Sequence, residues 1–469
     1  MAKIMKKLKL RARELKRLGY TDKQAIELAA SIVARHFQRE NKKEALERLA
    51  TVNKKAGEFV DDAVFGKLAQ RLTRSRAEKQ KPAKNPMPPR REHYAVYGPE
   101  FIDQETFQQM DTAIALPISV KGALMADAHV GYGLPIGGVL ATYNAVIPYG
   151  VGMDIGCRMC MSVYGLSASF LDKKRERLRN ILVEQTRFGH AEFNDIRDHE
   201  ILERKELNGI KFLRSLKPKL HAQLGTSGHG NHFVDLGLVE FGEAFGNVPA
   251  GTYMAVLSHS GSRNFGAEVA RHYTKIAKQK LGLDGASANL AWLELDSEEG
   301  QEYWQAMTLA GDFSAANHHI IHDKISGALG EAPLCRIENH HNYAWKEKLP
   351  ESGELIIHRK GATPAGKGSL GIIPGNMVSP AYIVEGKGNE RSLNSASHGA
   401  GRRLSRRQAK KRIARNSLDA TLKAHDVELI GGATDESPDA YKDIVQVMEA
   451  QKELVEIRGI FHPKIVRMA

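Results

Sequence analysis

The chain of 469 residues has only three cysteines, Cys157, Cys160 and Cys335. So few exclude a disulfide framework and fit a reducing compartment. No apolar run approaches the roughly 20 residues that span a bilayer, so no membrane segment is expected and a cytoplasmic location is. The N-terminus, "MAKIMKKLKLRARELKRLGY", is basic but lacks the apolar stretch of a secretory signal. Nothing repeats at a fixed period, which excludes a solenoid or propeller. What remains is a globular composition, 42% hydrophobic and 26% charged, ample for a buried core.

Charge is abundant but uneven. Residues 1–91 hold 25 Lys and Arg against 10 Asp and Glu, which leaves the remainder of this +13 chain at −2. A basic segment of this kind either attracts a polyanion such as RNA or is a solvated helical surface, and composition favours neither. Residues 1–80 predict an all-α extension. In "TDKQAIELAASIVARHF", Thr21 is the expected N-cap, Gln24 completes a capping box, and Ile26, Ala29, Ala30, Val33 and Phe37 recur at helical spacing. "KKEALERLATVNKKAG" and "FVDDAVFGKLAQRLTR" continue the pattern. "AEKQKPAKNPMPPRRE" cannot hold a helix, so 81–91 is expected to be a linker and 92–469 a second domain. There, strands are expected at "TAIALPISV", "KGALMA", "GGVLATY", "TYMAVLSH", "GELIIHR" and "AYIVEG", and helices at 266–281, 299–326 and 437–456. Strands mixed irregularly with helices point to an α+β fold.

Ligand-type residues gather beside glycines. "GVGMDIGCRMC" places Asp154 and Cys157 three apart in a tight turn, where they can share a divalent cation; a redox pair of Cys157 and Cys160 is the competing reading. "GTSGHGNHFVDLG" holds His229, Asn231 and His232. "AVLSHSGSRNFG" ends a strand at His259 and leads into a helix, a favourable place for phosphate. "IENHHNYAW" holds His340, His341 and Asn342. Several histidines in such turns favour a metal site. In contrast, His318 and His322 of "AANHHIIHDKI" lie in an amphipathic helix pattern with no nearby glycine turn and are taken as structural. "RKGATPAGKGSLGIIPGNM" joins Arg359, Lys360 and Lys367 to a tight turn, which suits phosphates. In "SASHGAGRR", His398 stands among small residues. An exposed imidazole there can act as a nucleophile, with Arg402 neutralising the developing charge, or as a proton shuttle.

These stretches, together with "DAHVGYG", "GNE" and "AYKDI", resemble in order the RtcB family of RNA ligases from about residue 92 to the end. The resemblance implies an α+β RtcB-type ligase core carrying a small all-α N-terminal domain. It implies joining of an RNA 2′,3′-cyclic phosphate or 3′-phosphate end to a 5′-hydroxyl end, with GTP and two Mn2+ ions, in tRNA splicing or RNA repair. It makes His398 the residue that becomes covalently guanylylated. It assigns the metal ions to Asp154, Cys157, His232, His259 and His341. It assigns guanosine contacts to Asn231, His232, Phe233, Val234, Asp235, His341, Asn342, Pro374, Gly375, Asn376, Met377, His398, Gly399, Ala400 and Gly401. Some members use a small activator protein, archease. Where the family commonly ends in "VKG", with a lysine on the guanine, this chain ends in "KIVRMA". Met468 takes the lysine's place and Arg467 beside it is the expected substitute. Two other outcomes stay open: an RNA 3′-phosphate guanylyltransferase that caps without joining, and an impaired RNA-binding paralogue.

Overall fold

The computed structural model describes residues 8, 10–38, 41–79, 94–190, 193, 198–349 and 352–469. The chain divides into two compact units, Met1–Pro86 and Met87–Ala469. The linker expected at 81–91 lies outside the described residues.

Helices α1 (Ala12–Arg17), α2 (Lys23–His36), α3 (Lys42–Lys54) and α4 (Gly66–Lys79) build the first unit. The cap of α2 is Asp22, one residue beyond the expected Thr21. Its carboxylate accepts the Ala25 amide at 2.8 Å and also pairs with Arg71 of α4 at 2.6 Å, so one side chain both caps a helix and ties it to another. The Arg71 guanidinium holds this carboxyl down at about 2. Ala25, Ala29 and Val33 of α2 bury against Leu49 and Leu68, the face that the apolar spacing predicts.

The second unit contains two large sheets. Its strands are β1 (Tyr94–Val96), β2 (Ser119–His129), β3 (Ile136–Thr142), β4 (Arg158–Tyr164), β5 (Phe233–Phe241), β6 (Gly251–Ser260), β7 (Cys335–His340), β8 (Asn342–Leu349), β9 (Gly353–Lys360), β10 (Leu370–Pro374), β11 (Ala381–Gly386), β12 (Glu428–Ile430) and β13 (Val455–Met468). One sheet has the order β1-β2-β3-β9-β8, the other β10-β11-β13-β5-β6-β4-β7, with β12 alongside β13. Helices α5 (Gln104–Ile114), α6 (Arg263–Leu281) and α7 (Glu298–Leu329) pack around them, followed by α8 (Arg406–Arg412). This is the mixed α+β architecture expected from the sequence.

Two windows differ. In "TAIALPISV" only Thr112 to Ile114 are helical, the end of α5, which Asp103 caps at the Thr106 amide (2.9 Å); a turn follows, and β2 begins only at Ser119, beyond Pro117. Ala113 and Ile114 of the window, with Met110 before it, are buried residues of that helix. The helix expected at 437–456 shrinks to Ile444–Glu449, begun by Asp443 capping Val445, and β13 starts at Val455. By contrast, α7 extends over 32 residues, from its Ser297 cap to Gly330, whose φ of +77° ends it as glycine allows.

Candidate active site

Strand register carries four ligand-type residues to one end of the larger sheet. Arg158 pairs with Ser260 and with His340, and Phe233 pairs with His259. Cys157, His232 and His341, each one residue outside these strands, therefore meet His259. The Cys157 thiol lies 3.1 Å from His259 Nε2 and 3.5 Å from His232 Nε2. His232 Nε2 is 2.9 Å from Asp154 Oδ2, and His259 Nε2 is 3.2 Å from His341 Nε2. Glycine makes this crowding possible. A Cβ at Gly228 would fall 1.7 Å from His232 Nδ1, and one at Gly261 would fall 1.9 Å from Asp154 Oδ1.

The donor set fits a divalent cation. His259 Nδ1–H donates to the Asn231 carbonyl at 3.0 Å, which leaves Nε2 as a lone pair facing the cluster. Burial pushes His259 down to about 3 and His341 well below its ordinary value, so both imidazoles are neutral. Burial raises the Asp154 carboxyl, but the His232 imidazole outweighs it and keeps the group ionised. Burial and the Asp154 charge push the Cys157 thiol well up, a preference that a cation reverses by its own charge. The outer nitrogens, Nδ1 of His232 and of His341, are buried with no partner among the described residues. Thiol, imidazole and carboxylate donors of this kind suit manganese or zinc.

His398 adjoins this cluster, its ring 4.9 Å from that of His341. It follows a short strand, Ser395–Ser397, that pairs with Ala362–Pro364. Its Nδ1–H donates to Asp127 Oδ2 at 2.6 Å, and its own amide donates to the same oxygen at 3.1 Å. Nε2 is thereby left as the lone-pair nitrogen. Asp127, on β2, is fully buried. Burial raises its carboxyl, but the His398 imidazole and the Lys442 ammonium more than offset that and hold it below its ordinary value. An imidazole oriented by a buried carboxylate, its far nitrogen free, is the arrangement of an activated nucleophile. "DAHVGYG" contained Asp127 without revealing this role.

A cavity of about 280 Å³ opens beside His398. Asn231, Phe233, Asp235, Pro374 to Met377 and His398 to Gly401, all among the residues that the resemblance assigns to guanosine, line it. His232 and His341 stand in the cluster behind it. Val234 is not in the cavity; it alternates onto the opposite face of β5, in the core. Asn342 is a brace, donating to the Asp154 carbonyl at 3.2 Å and accepting from the Gly361 amide at 2.7 Å. Arg467 is turned away as well: its guanidinium donates to the Leu182 carbonyl and lies over the Phe188 ring. Met468 and Val466, on the other face of β13, line the cavity instead. Burial pushes the Asp235 carboxyl well up, and its Oδ1 has no partner.

Several expected phosphate-binding cations are committed elsewhere. Arg359 is fully buried, paired with Glu347 at 2.6 Å and stacked on Trp345. Lys360 donates to the carbonyls of Tyr132 and Tyr149. Arg402 lines the cavity but spends its guanidinium on Glu436 (3.0 Å), Tyr441 (3.1 Å) and nearby carbonyls, which positions the loop around 434–441. Arg263, after the strand end at His259, is buried on Thr226 and Gly189. Arg406, from α8, reaches the cavity with a half-exposed side chain that the motifs did not single out.

A sheet-end cluster of thiol, imidazoles and carboxylate thus lies beside a carboxylate-oriented histidine. The family model for "tRNA-splicing ligase RtcB" matches residues 109–468. The chain is 32% identical over 390 residues to the "RNA-splicing ligase RtcB1" of Escherichia coli, covering 76% of this chain and 92% of that protein. It is 30% identical to the "tRNA-splicing ligase RtcB" of Nanoarchaeum equitans, over 75% of this chain and 88% of that one. It is also 30% identical to the "RNA-splicing ligase RtcB" of Mycobacterium tuberculosis, over 74% and 96%. The chain belongs to the RtcB family, which makes it an RNA ligase. Among the described residues no helix is long and apolar enough to cross a membrane.

Proposed function

We propose that this ligase joins RNA ends bearing a 3′-phosphate or 2′,3′-cyclic phosphate to ends bearing a 5′-hydroxyl, in tRNA splicing or RNA repair, with GTP as the activating nucleotide. The pairing of His398 with Asp127, beside the Cys157 cluster, is the observation that carries the reading. The Nε2 lone pair of His398 attacks the α-phosphorus of GTP, a P–N bond forms, and the bond to the β-phosphate oxygen breaks to release pyrophosphate. The imidazole becomes cationic in that step, and Asp127 holds its Nδ1 proton and stabilises the charge. A 3′-phosphate oxygen of RNA then takes the GMP from His398, and the 5′-hydroxyl displaces GMP to form the phosphodiester. A cyclic phosphate is first hydrolysed to a 3′-phosphate.

Asp154, Cys157, His232, His259 and His341 would hold two Mn2+ ions, whose chemistry is charge neutralisation and alignment of phosphates for in-line displacement. The cavity takes the nucleoside. Asp235 supplies its buried polar group, and Phe233, Val466 and Met468 supply apolar walls. Product analysis tests the proposal. A 3′-phosphate RNA incubated with GTP and Mn2+ should join when a 5′-hydroxyl partner is present. Accumulation of a 3′-guanylylated RNA despite that partner would make the protein a capping enzyme instead. Absence of both products would leave an RNA-binding paralogue.

A further inference from the structure

A second group of ligand-type side chains lies on the opposite face of the strands that lead to Cys157 and His259. Cys160 and Ser162 alternate with the core residues Met159 and Met161 along β4, and Ser258 and Ser260 alternate with His259 along β6. Cys160 and Ser258 are direct partners in the sheet. Over this face runs α7, which presents His318 and His322 one turn apart, both fully buried. The amphipathic spacing led both to be taken as structural. The ligand atoms of Cys160, His318 and His322 lie within 4.8 Å of one another.

Each imidazole has its outer nitrogen held. His318 Nε2–H donates to the Ser260 carbonyl at 3.2 Å, and His322 Nδ1 is 2.8 Å from the Ser162 hydroxyl. The inner nitrogens, His318 Nδ1 and His322 Nε2, converge on one atom, Ser258 Oγ, at 2.6 and 2.8 Å. The Ser258 hydroxyl donates its one proton to His318 Nδ1 and can accept from His322 Nε2. An outer nitrogen fixed by a carbonyl or hydroxyl, with the inner one turned toward a shared centre, is how proteins orient metal-ligating histidines, and here the Cys160 thiol lies within 4.8 Å of both ligand nitrogens. We propose that Cys160, His318 and His322, with Ser258 as a neighbouring oxygen donor, form a second binding site for a borderline-soft divalent cation of the zinc type. It shares no residue with the Cys157 cluster and clamps α7 to β4 and β6. On binding, the cation forms bonds to Sγ and two imidazole nitrogens, and the thiol proton is released to solvent.

Cobalt(II) reports the site on the full-length chain, because a thiolate ligand gives an intense near-ultraviolet charge-transfer band. Cys157→Ser removes the thiol of the other cluster. That variant should still show the band and retain cobalt after desalting, and adding Cys160→Ser should abolish the band and one equivalent of bound metal. In the otherwise unaltered chain, Cys160→Ser and His318→Gln/His322→Gln should each lower the cobalt content by one equivalent. Zinc should also raise the melting temperature of the unaltered chain more than that of Cys160→Ser. A band that survives in Cys157→Ser/Cys160→Ser overturns the proposal. So does cobalt content equal in the unaltered chain and Cys160→Ser, which would leave the group as a hydrogen-bond relay between α7 and the sheet.

Discussion

Replacing Asp127 by asparagine removes a charge while keeping the shape that holds His398. Oδ2 of Asp127 accepts both the ring Nδ1–H, at 2.6 Å, and the backbone amide, at 3.1 Å. An amide oxygen in the same place can accept both. What is lost is the negative charge opposite an imidazole that turns cationic as it takes the nucleotide. A charge-assisted hydrogen bond contributes about 1.5–3 kcal/mol, which corresponds to labelling about 10- to 150-fold slower. The other carboxylate oxygen, Oδ1, is buried without a partner, so the new amide N–H groups there also cost stability, about 1–3 kcal/mol. The assay is a single-turnover quench with GTP labelled at the α-phosphate, at saturating nucleotide, on protein shown to be folded at the assay temperature. GTP affinity, measured separately, should change little. A labelling rate within about two-fold of the unaltered protein, under conditions where His398→Ala is inert, would refute a role for the Asp127 charge.

Cys157→Ser should lower labelling by about 10²–10³-fold, the scale on which loss of one electrostatic component of a site operates; full labelling with Mn2+ would remove Cys157 from the metal centre. Met468→Lys places a cation in the cavity that Asp235 lines, and should raise GTP-over-ATP selectivity in competitive labelling by about 10- to 100-fold. An unchanged ratio would place the base elsewhere. Burial pulls the Lys360 ammonium from 10.5 down to about 7. Between those values the unfolded chain binds a proton that the folded chain does not, so this residue makes stability rise with pH across that window, by up to about 1.4 kcal/mol per pH unit. Lys360→Met should flatten the rise in melting temperature between about pH 7 and 9, and an unaltered rise would contradict the burial argument. Deleting residues 1–85 should weaken RNA binding at low salt and flatten its salt dependence, if the basic segment meets phosphates; equal slopes with and without it would assign that charge to solvation.

The metal-type cluster was legible because its members sit in short motifs beside glycine or asparagine: Asp154 and Cys157 in one, His232, His259 and His341 in three others. Asp127 was not, because its meaning depends on β2 meeting the loop after Ser395–Ser397, 271 residues away in the chain. Arg467 was misplaced by choosing a neighbour of the expected position, although the two-residue period of a strand sends adjacent side chains to opposite faces. His318 and His322 read as structural and are buried under the sheet; helical spacing could not show that Cys160 lies opposite them. Residues 437–456 failed as a helix because Asp443 begins a helix that ends at Glu449, and the apolar residues from Val455 onward belong to a strand. Cations were the poorest guide. Arg359, Lys360 and Arg402 read as phosphate ligands and prove to be buried or engaged, since a sequence gives the charge of a side chain and not its partner.

The central claim is that His398 carries the nucleotide. Incubating the protein with Mn2+ and GTP labelled at the α-phosphate, denaturing it, and mapping the labelled peptide tests this most directly. The account predicts one acid-labile phosphoramidate on the peptide containing His398, absent from His398→Ala and retained at a reduced rate in Asp127→Asn. Label on another residue, or label undiminished in His398→Ala, would contradict it.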